Sequence, residues 1–151
     1  MRKKQQRKMP VVGAVMTSFP YSVEADDTAT KMESMMDQHN IRHLPVQRNG
    51  KVIGIVSERD LHHRVSRSSP VAEKDKIRAC DIMVPEPYIV PFRAPLNDVV
   101  SEMAKRRIGS VIVQRQGKLA GILSAIDVCR ILGEYLDAFV PPGRRGGDTA
   151  A

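Results

Sequence analysis

The chain has 151 residues, enough for one compact unit or two very small ones. Hydrophobic residues make up 42% and aromatics only 4%, with no Trp, so a core must be aliphatic and built from Val, Ile, Leu and Met. The formal charge is +7, but Arg2, Lys3, Lys4, Arg7 and Lys8 crowd the start without an acid, and Arg144, Arg145 and Asp148 follow Val140; the body between is close to neutral, which argues against a broad nucleic-acid face. Cys80 and Cys129 are isolated and form no Cys-x-x-Cys pair, as fits a reducing compartment. No long apolar run follows the basic start, so neither a signal peptide nor a membrane span is expected. These features predict a cytoplasmic protein without membrane contact.

In chain order, residues 1–10 read as a basic disordered tail, with contact to nucleic acid as the alternative use of its charge. A short extended piece follows at Tyr21 to Val23. A helix comes next, with Ala29, Met32, Met35 and Met36 at helical spacing and Asp26, Asp27 or Thr28 as its cap. Leu44 to Arg48 and Val52 to Ser57 read as two strands joined through Asn49-Gly50, a dipeptide that tolerates positive φ at both central positions of a hairpin turn. A second helix runs from Glu58 towards Val65. The polar stretch 67–77 reads as a linker.

The same order then recurs. Shifted by 67 positions, the chain lies on itself without a gap: Met16 falls on Met83, Pro20-Tyr21 on Pro87-Tyr88, Val46-Gln47-Arg48 on Val113-Gln114-Arg115, Gly54-Ile55 on Gly121-Ile122, Ser57 on Ser124 and Asp60 on Asp127. The second copy therefore offers an extended piece at Tyr88 to Val90. Its first helix has Pro95 in the opening turn and Leu96, Val99, Val100 and Met103 on one face. Strands follow from Val111 to Arg115 and from Leu119 to Ser124, then a closing helix from Ala125 towards Ala138 with Val128, Ile131, Leu132 and Tyr135 as its buried stripe. Repeat 1 spans 11–66, repeat 2 spans 78–138, and 139–151 reads as a flexible tail. One copy alone hides too little apolar surface. Two copies packed through their sheets about a pseudo-two-fold axis solve this and leave clefts between them, where ligands commonly bind. The expected fold is α/β (α+β), β-α-β-β-α twice.

Gly54-Ile55-Val56-Ser57-Glu58-Arg59-Asp60 and Gly121-Ile122-Leu123-Ser124-Ala125-Ile126-Asp127, with Val15-Met16-Thr17, Asp81-Ile82-Met83 and Asn40-Ile41-Arg42-His43-Leu44-Pro45-Val46, resemble the CBS domain family. The resemblance covers roughly residues 12–136. It implies a tandem pair (a Bateman module) of the stand-alone bacterial type, without catalytic activity. It further implies an AMP, ADP or ATP ligand, or NAD or S-adenosylmethionine, between the repeats, a homodimer, and a regulated protein that the sequence does not name. No cofactor is required.

The residues carry chemistry that fits. Asp60 and Asp127, each at a helix start, offer carboxylates to both hydroxyls of a ribose. Ser57 and Ser124 stand three residues earlier, where a hydroxyl and helix-start amides can meet a phosphate; as a bland alternative they are plain helix caps. Cations for the phosphate come from the first copy, Arg42, His43 and Arg59. Gly109, Ser110 and Ile126 replace them in the second, and Gly109 and Ser110 leave room for a base or sugar. Val23 and Val90 are candidates to sandwich adenine, although strand residues of this kind also read as core. His39, His43, His62 and His63 have no acidic set that would complete a metal site. No P-loop and no nucleophile–base set is visible. The predicted function is a regulatory sensor of an adenosyl nucleotide; the alternatives are a ligand-free interaction platform or nucleic-acid binding through the tail.

Overall fold

The computed structural model describes residues 8–141, so most of both expected tails lies outside the described part. A 3-10 turn at Val12–Ala14 leads to β1 (Thr17–Ser18). Repeat 1 then runs β2 (Val23–Glu24), α1 (Ala29–His39), β3 (His43–Arg48), β4 (Lys51–Ser57) and α2 (Glu58–Arg64). Next come α3 (Val71–Lys74), α4 (Ala79–Ile82) and β5 (Val84–Pro85). Repeat 2 follows as β6 (Ile89–Pro91), α5 (Leu96–Arg106), β7 (Ser110–Arg115), β8 (Lys118–Ser124) and α6 (Ala125–Asp137).

Local signals explain most of these boundaries. The Thr28 side chain caps α1 by accepting from the Lys31 amide, and Asn40 ends the helix in the left-handed region at φ 50°. Arg107, the equivalent residue 67 positions on, ends α5 at φ 56°. The hairpin turns repeat too: Asn49 and Gly50 take φ 52° and 74°, and Gln116 and Gly117 take the same values. Positive φ at both central residues lets the turn follow the right-handed twist of the strands.

The strands form two four-stranded sheets, β2-β3-β4-β5 and β1-β8-β7-β6. Each sheet thus borrows one strand from the segment that opens the other repeat. β5, in the segment that opens repeat 2, pairs antiparallel with β4 of repeat 1; β1, in the segment that opens repeat 1, pairs antiparallel with β8 of repeat 2. The cores follow the exchange. Ala79 is fully buried with Val23, Met32, Leu44, Val56 and Leu61 of repeat 1, whereas Val12 is fully buried with Val99, Val111, Val113 and Leu123 of repeat 2. Matched backbone bonds fix the crossing: the Ala29 amide donates to the Ile77 carbonyl and the Leu96 amide to the Pro10 carbonyl, both at 2.9 Å. Glycine is required where the borrowed segment crosses. A Cβ on Gly121 would come within 2.7 Å of the Thr17 carbonyl oxygen, a backbone atom that cannot swing aside.

Three features differ from the sequence reading. The extended pieces expected at Tyr21 to Val23 and Tyr88 to Val90 pair later, from Val23 and from Ile89. The stretch 67–77, read as a loop, contains α3. There the Lys74 side chain is buried, 2.5 Å from Glu33 Oε2 and 2.7 Å from the Arg67 carbonyl, and anchors the connection to α1. The stripe of α6 is only half realised. Val128 and Ile131 pack on the core of repeat 2, but Leu132 and Tyr135 are about half exposed, at 51% and 52%. Periodicity identifies the apolar face of a helix but not what covers it, and no described element covers the far turns of α6.

Candidate functional site

The two β-hairpins meet along β4 and β8, and beside this seam a cleft of about 680 Å³ opens, within the range of small-ligand sites. Repeat 1 contributes Arg42, His43, Ser57, Arg59 and Asp60 from the ends of β3 and β4 and the start of α2. Repeat 2 contributes Gly109 and Ser110 from the start of β7. The fold thus brings seven of the sequence-predicted residues into one place. Strand register explains the clustering, because His43 is the cross-strand partner of Ser57 and Ser110 that of Ser124. His43 also reaches the other repeat: a Cβ on Gly109 would lie 3.5 Å from its Nε2.

Val23 and Val90 are corrections. They are 2% and 5% exposed, sit in the two separate cores and do not line the cleft. Both belong to edge strands, paired parallel to β3 and β7, and their side chains pack in the cores beneath the helices, so they have no face left for a ligand. The apolar walls are instead Ile55, Val84, Tyr88, Ile108 and Ile112. Sequence reasoning missed these because β5 joins the site only through the strand exchange. Asp127 and Ser124 do not line this cleft; they occupy the pseudo-symmetric position at the start of α6.

At the helix start, Ser57 and Asp60 form a reciprocal capping box. Asp60 Oδ2 accepts from the Ser57 amide (2.8 Å) and the Ser57 hydroxyl (2.6 Å), and the Asp60 amide donates to Ser57 Oγ (3.1 Å). Asp60 Oδ1 has no protein donor among the described residues, which leaves it open to a ligand hydroxyl. The Glu58 amide donates to the Arg42 carbonyl at 2.8 Å. Hence the amides of Ser57, Glu58 and Asp60 are all taken, and of the helix-start amides that of Arg59 is left without a protein acceptor among the described residues. Ser124 and Asp127 repeat the box, with Oδ2 at 2.8 and 2.7 Å from the Ser124 amide and hydroxyl, but Asp127 Oδ1 stands 4.0 Å from Arg130.

Glu58 is the electrostatic hub of the rim. Its carboxylate lies 2.7 Å from Arg67, 3.7 Å from Arg42 and 3.8 Å from His62 Nε2. Both His62 ring nitrogens are buried and lack a hydrogen-bond partner among the described residues. On the repeat-2 wall the Arg106 guanidinium lies over the Tyr88 ring, 4.3 Å from its centroid. The equivalent pair in repeat 1, Tyr21 and His39, is stacked at 3.6 Å.

Burial pushes the His43 imidazole below the ordinary 6.5; nearby Asp60 opposes the shift and Arg42 adds to it. The unfolded chain therefore binds a proton at this residue more readily than the folded one. The resulting contribution to stability is present above pH 6.5 and is lost as pH falls through the depressed folded value. Urea unfolding at pH 7.5 and 5.5 should show a larger acid loss for the wild type than for His43→Gln; equal losses would contradict this account.

Comparison with known proteins supplies the family. The CBS domain model matches residues 1–67 and 79–134. The chain belongs to the CBS domain family. Its two repeats form a CBS pair, the regulatory and generally non-catalytic module of that family. A putative acetoin utilization protein (AcuB) from Vibrio cholerae is similar in structure, with TM-score 0.75 and 28% identity over 89% of this chain and 100% of that one. The CBS pair of MJ0100, solved with 5'-methylthioadenosine and S-adenosyl-L-methionine, gives TM-score 0.74 at 22% identity, covering 85% and 99%. CBSX2, solved with AMP, gives 0.70 at 23%, covering 83% and 98%. Among curated proteins, an inosine-5'-monophosphate dehydrogenase of Thermoplasma acidophilum is 28% identical over 109 residues, 72% of this chain but only 21% of that enzyme, and the match falls on the CBS part. The chain spans 21% to 29% of the length of the first three curated relatives. No helix among the described residues is long and apolar enough to cross a membrane, and no group of three or more His, Cys, Asp or Glu among them could hold a metal ion.

Proposed function

We propose that this CBS pair is a regulatory sensor that holds an adenosyl nucleotide in the cleft between its repeats, with Asp60 Oδ1 accepting from the ribose and Ser57, Arg42, His43 and Arg59 at the phosphate end. The observation that carries this reading is the cleft in which repeat 1 places the capped Ser57–Asp60 pair opposite Gly109 and Ser110 of repeat 2. The adenosyl complexes of MJ0100 and CBSX2 support the ligand class. A ligand that touches both repeats changes their relative angle only if it binds one arrangement better than the other. Its effect then passes to a regulated protein and needs no catalysis by the module. We extend the reading to a homodimer, because Leu132, Tyr135, Leu136 and Phe139 are each at least half exposed on or just beyond one helix, α6. Calorimetry of the full chain with AMP, ATP, NAD and S-adenosylmethionine tests the reading. Saturable binding of at least one, at micromolar to low millimolar Kd, is expected. Absence of binding by all four would favour a ligand-free platform in which Ser57 and Asp60 act only as caps.

A further inference from the structure

We infer that the two helix-start sites are unequal and that the chain binds one phosphate-bearing nucleotide, at Asp60 and not at Asp127, because only the first has side-chain cations for the phosphate. The inference rests on the proposed adenosyl reading and deepens it to the ligand's class and stoichiometry. Both sites have the same cap, and in both it takes the same three helix-start amides and leaves the equivalent fourth, Arg59 at α2 and Ile126 at α6, without a protein acceptor among the described residues. At α6 the Ser124 amide goes to Asp127 Oδ2, the Ala125 amide to the Gly109 carbonyl and the Asp127 amide to Ser124 Oγ; the same three bonds close α2. The backbone therefore gives neither site an advantage, and charge on the neighbouring side chains decides.

Those side chains differ at every position. Around Ser57 stand Arg42, His43, Arg59 and His62, and the residues 67 positions on, around Ser124, are Gly109, Ser110, Ile126 and Cys129. The acids in the Asp60 cleft do not cancel this difference. Glu58 is bonded to Arg67 at 2.7 Å and stands farther from Arg42 and His62, at 3.7 and 3.8 Å, Asp60 serves the cap and the ribose, and Glu86 is on the opposite wall. Arg59 has no acidic partner among the described residues, so its guanidinium keeps its full donor fork for a phosphate. His43 and His62 also line the cleft, and both ring nitrogens of His62 lack a protein partner among the described residues. At Asp127 the aspartate's outer oxygen already faces Arg130 at 4.0 Å, whereas the outer oxygen of Asp60 has no such partner.

Calorimetry of the full chain with AMP and with adenosine reads both claims. One AMP per chain is expected, bound at least about tenfold tighter than adenosine because charge-assisted bonds to phosphate are among the stronger polar contacts. Arg42→Gln combined with Arg59→Ile should bring AMP down to the affinity of adenosine and leave adenosine itself unchanged. Both side chains are exposed, Arg42 at 76%, so an unaltered melting temperature is expected and shows that the fold is intact. Two AMP per chain, or AMP no tighter than adenosine, would overturn the inference while leaving the adenosyl reading in place. No binding of either compound would overturn both.

Discussion

Asp60→Asn is expected to weaken AMP binding by roughly 10- to 100-fold, the loss that follows when charge-assisted hydrogen bonds of about 1.5–3 kcal/mol are removed. Asn is nearly the same shape, and its side-chain oxygen can still accept from the Ser57 amide, a bond of 2.8 Å in the structure. The cap thus survives in outline, and melting should move by no more than a few degrees. Asp127→Asn is the internal control. It alters an equally built cap, with 2.8 Å from the Ser124 amide to Oδ2, yet should leave the AMP affinity unchanged. Titration calorimetry of both variants separates the two carboxylates; an Asp60→Asn chain with wild-type affinity would remove the ribose role from Asp60.

Val12→Asp should be among the most disruptive single changes in the chain, and its damage should appear far away in sequence. Val12 has 0% exposure and is buried among Val90, Leu96, Val99, Val111 and Leu123. The described residues of that core include no cation to meet a carboxylate, so an unpaired buried charge or a protonated acid must be tolerated, at a cost of about 3–5 kcal/mol. Because Val12 lies in the segment that opens repeat 1 but packs in the core of repeat 2, amide exchange should lose protection first in β6, β7 and β8, while β2, β3 and β4 stay protected. Loss of protection confined to residues 23–57 would contradict the strand exchange.

The repeat made much of this architecture legible. Register between copies located both hairpins and the motif Asp and Ser residues, with Ser57 and Ser124 as helix caps, and Thr28 and Pro95 marked helix starts where the structure has them. These features are local. A turn needs positive φ, a cap needs an acceptor three residues from a donor, and a helix needs a stripe; each is written within a few neighbouring residues. Arg42, His43, Gly109 and Ser110 were also found, because a motif fixes where strands begin and both strand starts face the same seam.

The wall of the cleft was not legible, and Val23 and Val90 show why. A valine on a parallel strand has the same local pattern whether its neighbour is a ligand or a helix, and only the packing of α1 and α5 over these strands buries them at 2% and 5% exposure. Tyr88, Val84 and Ile108 carry no motif at all. The helix-start amides were legible only in part for a related reason: those of Glu58 and Ala125 are claimed by Arg42 and Gly109 carbonyls that arrive from another strand.

The sequence by itself determined the duplicated β-α-β-β-α plan, the hairpin turns, the caps and the difference in charge between the two copies, since all of these depend on short-range chemistry repeated at a fixed interval. Only the tertiary structure decided that β1 and β5 change sides, that Val12 and Ala79 complete the opposite cores and that one half of α6 stays uncovered. A sheet edge accepts any strand whose backbone groups and apolar face fit. Which strand supplies them is a matter of geometry between distant parts of the chain.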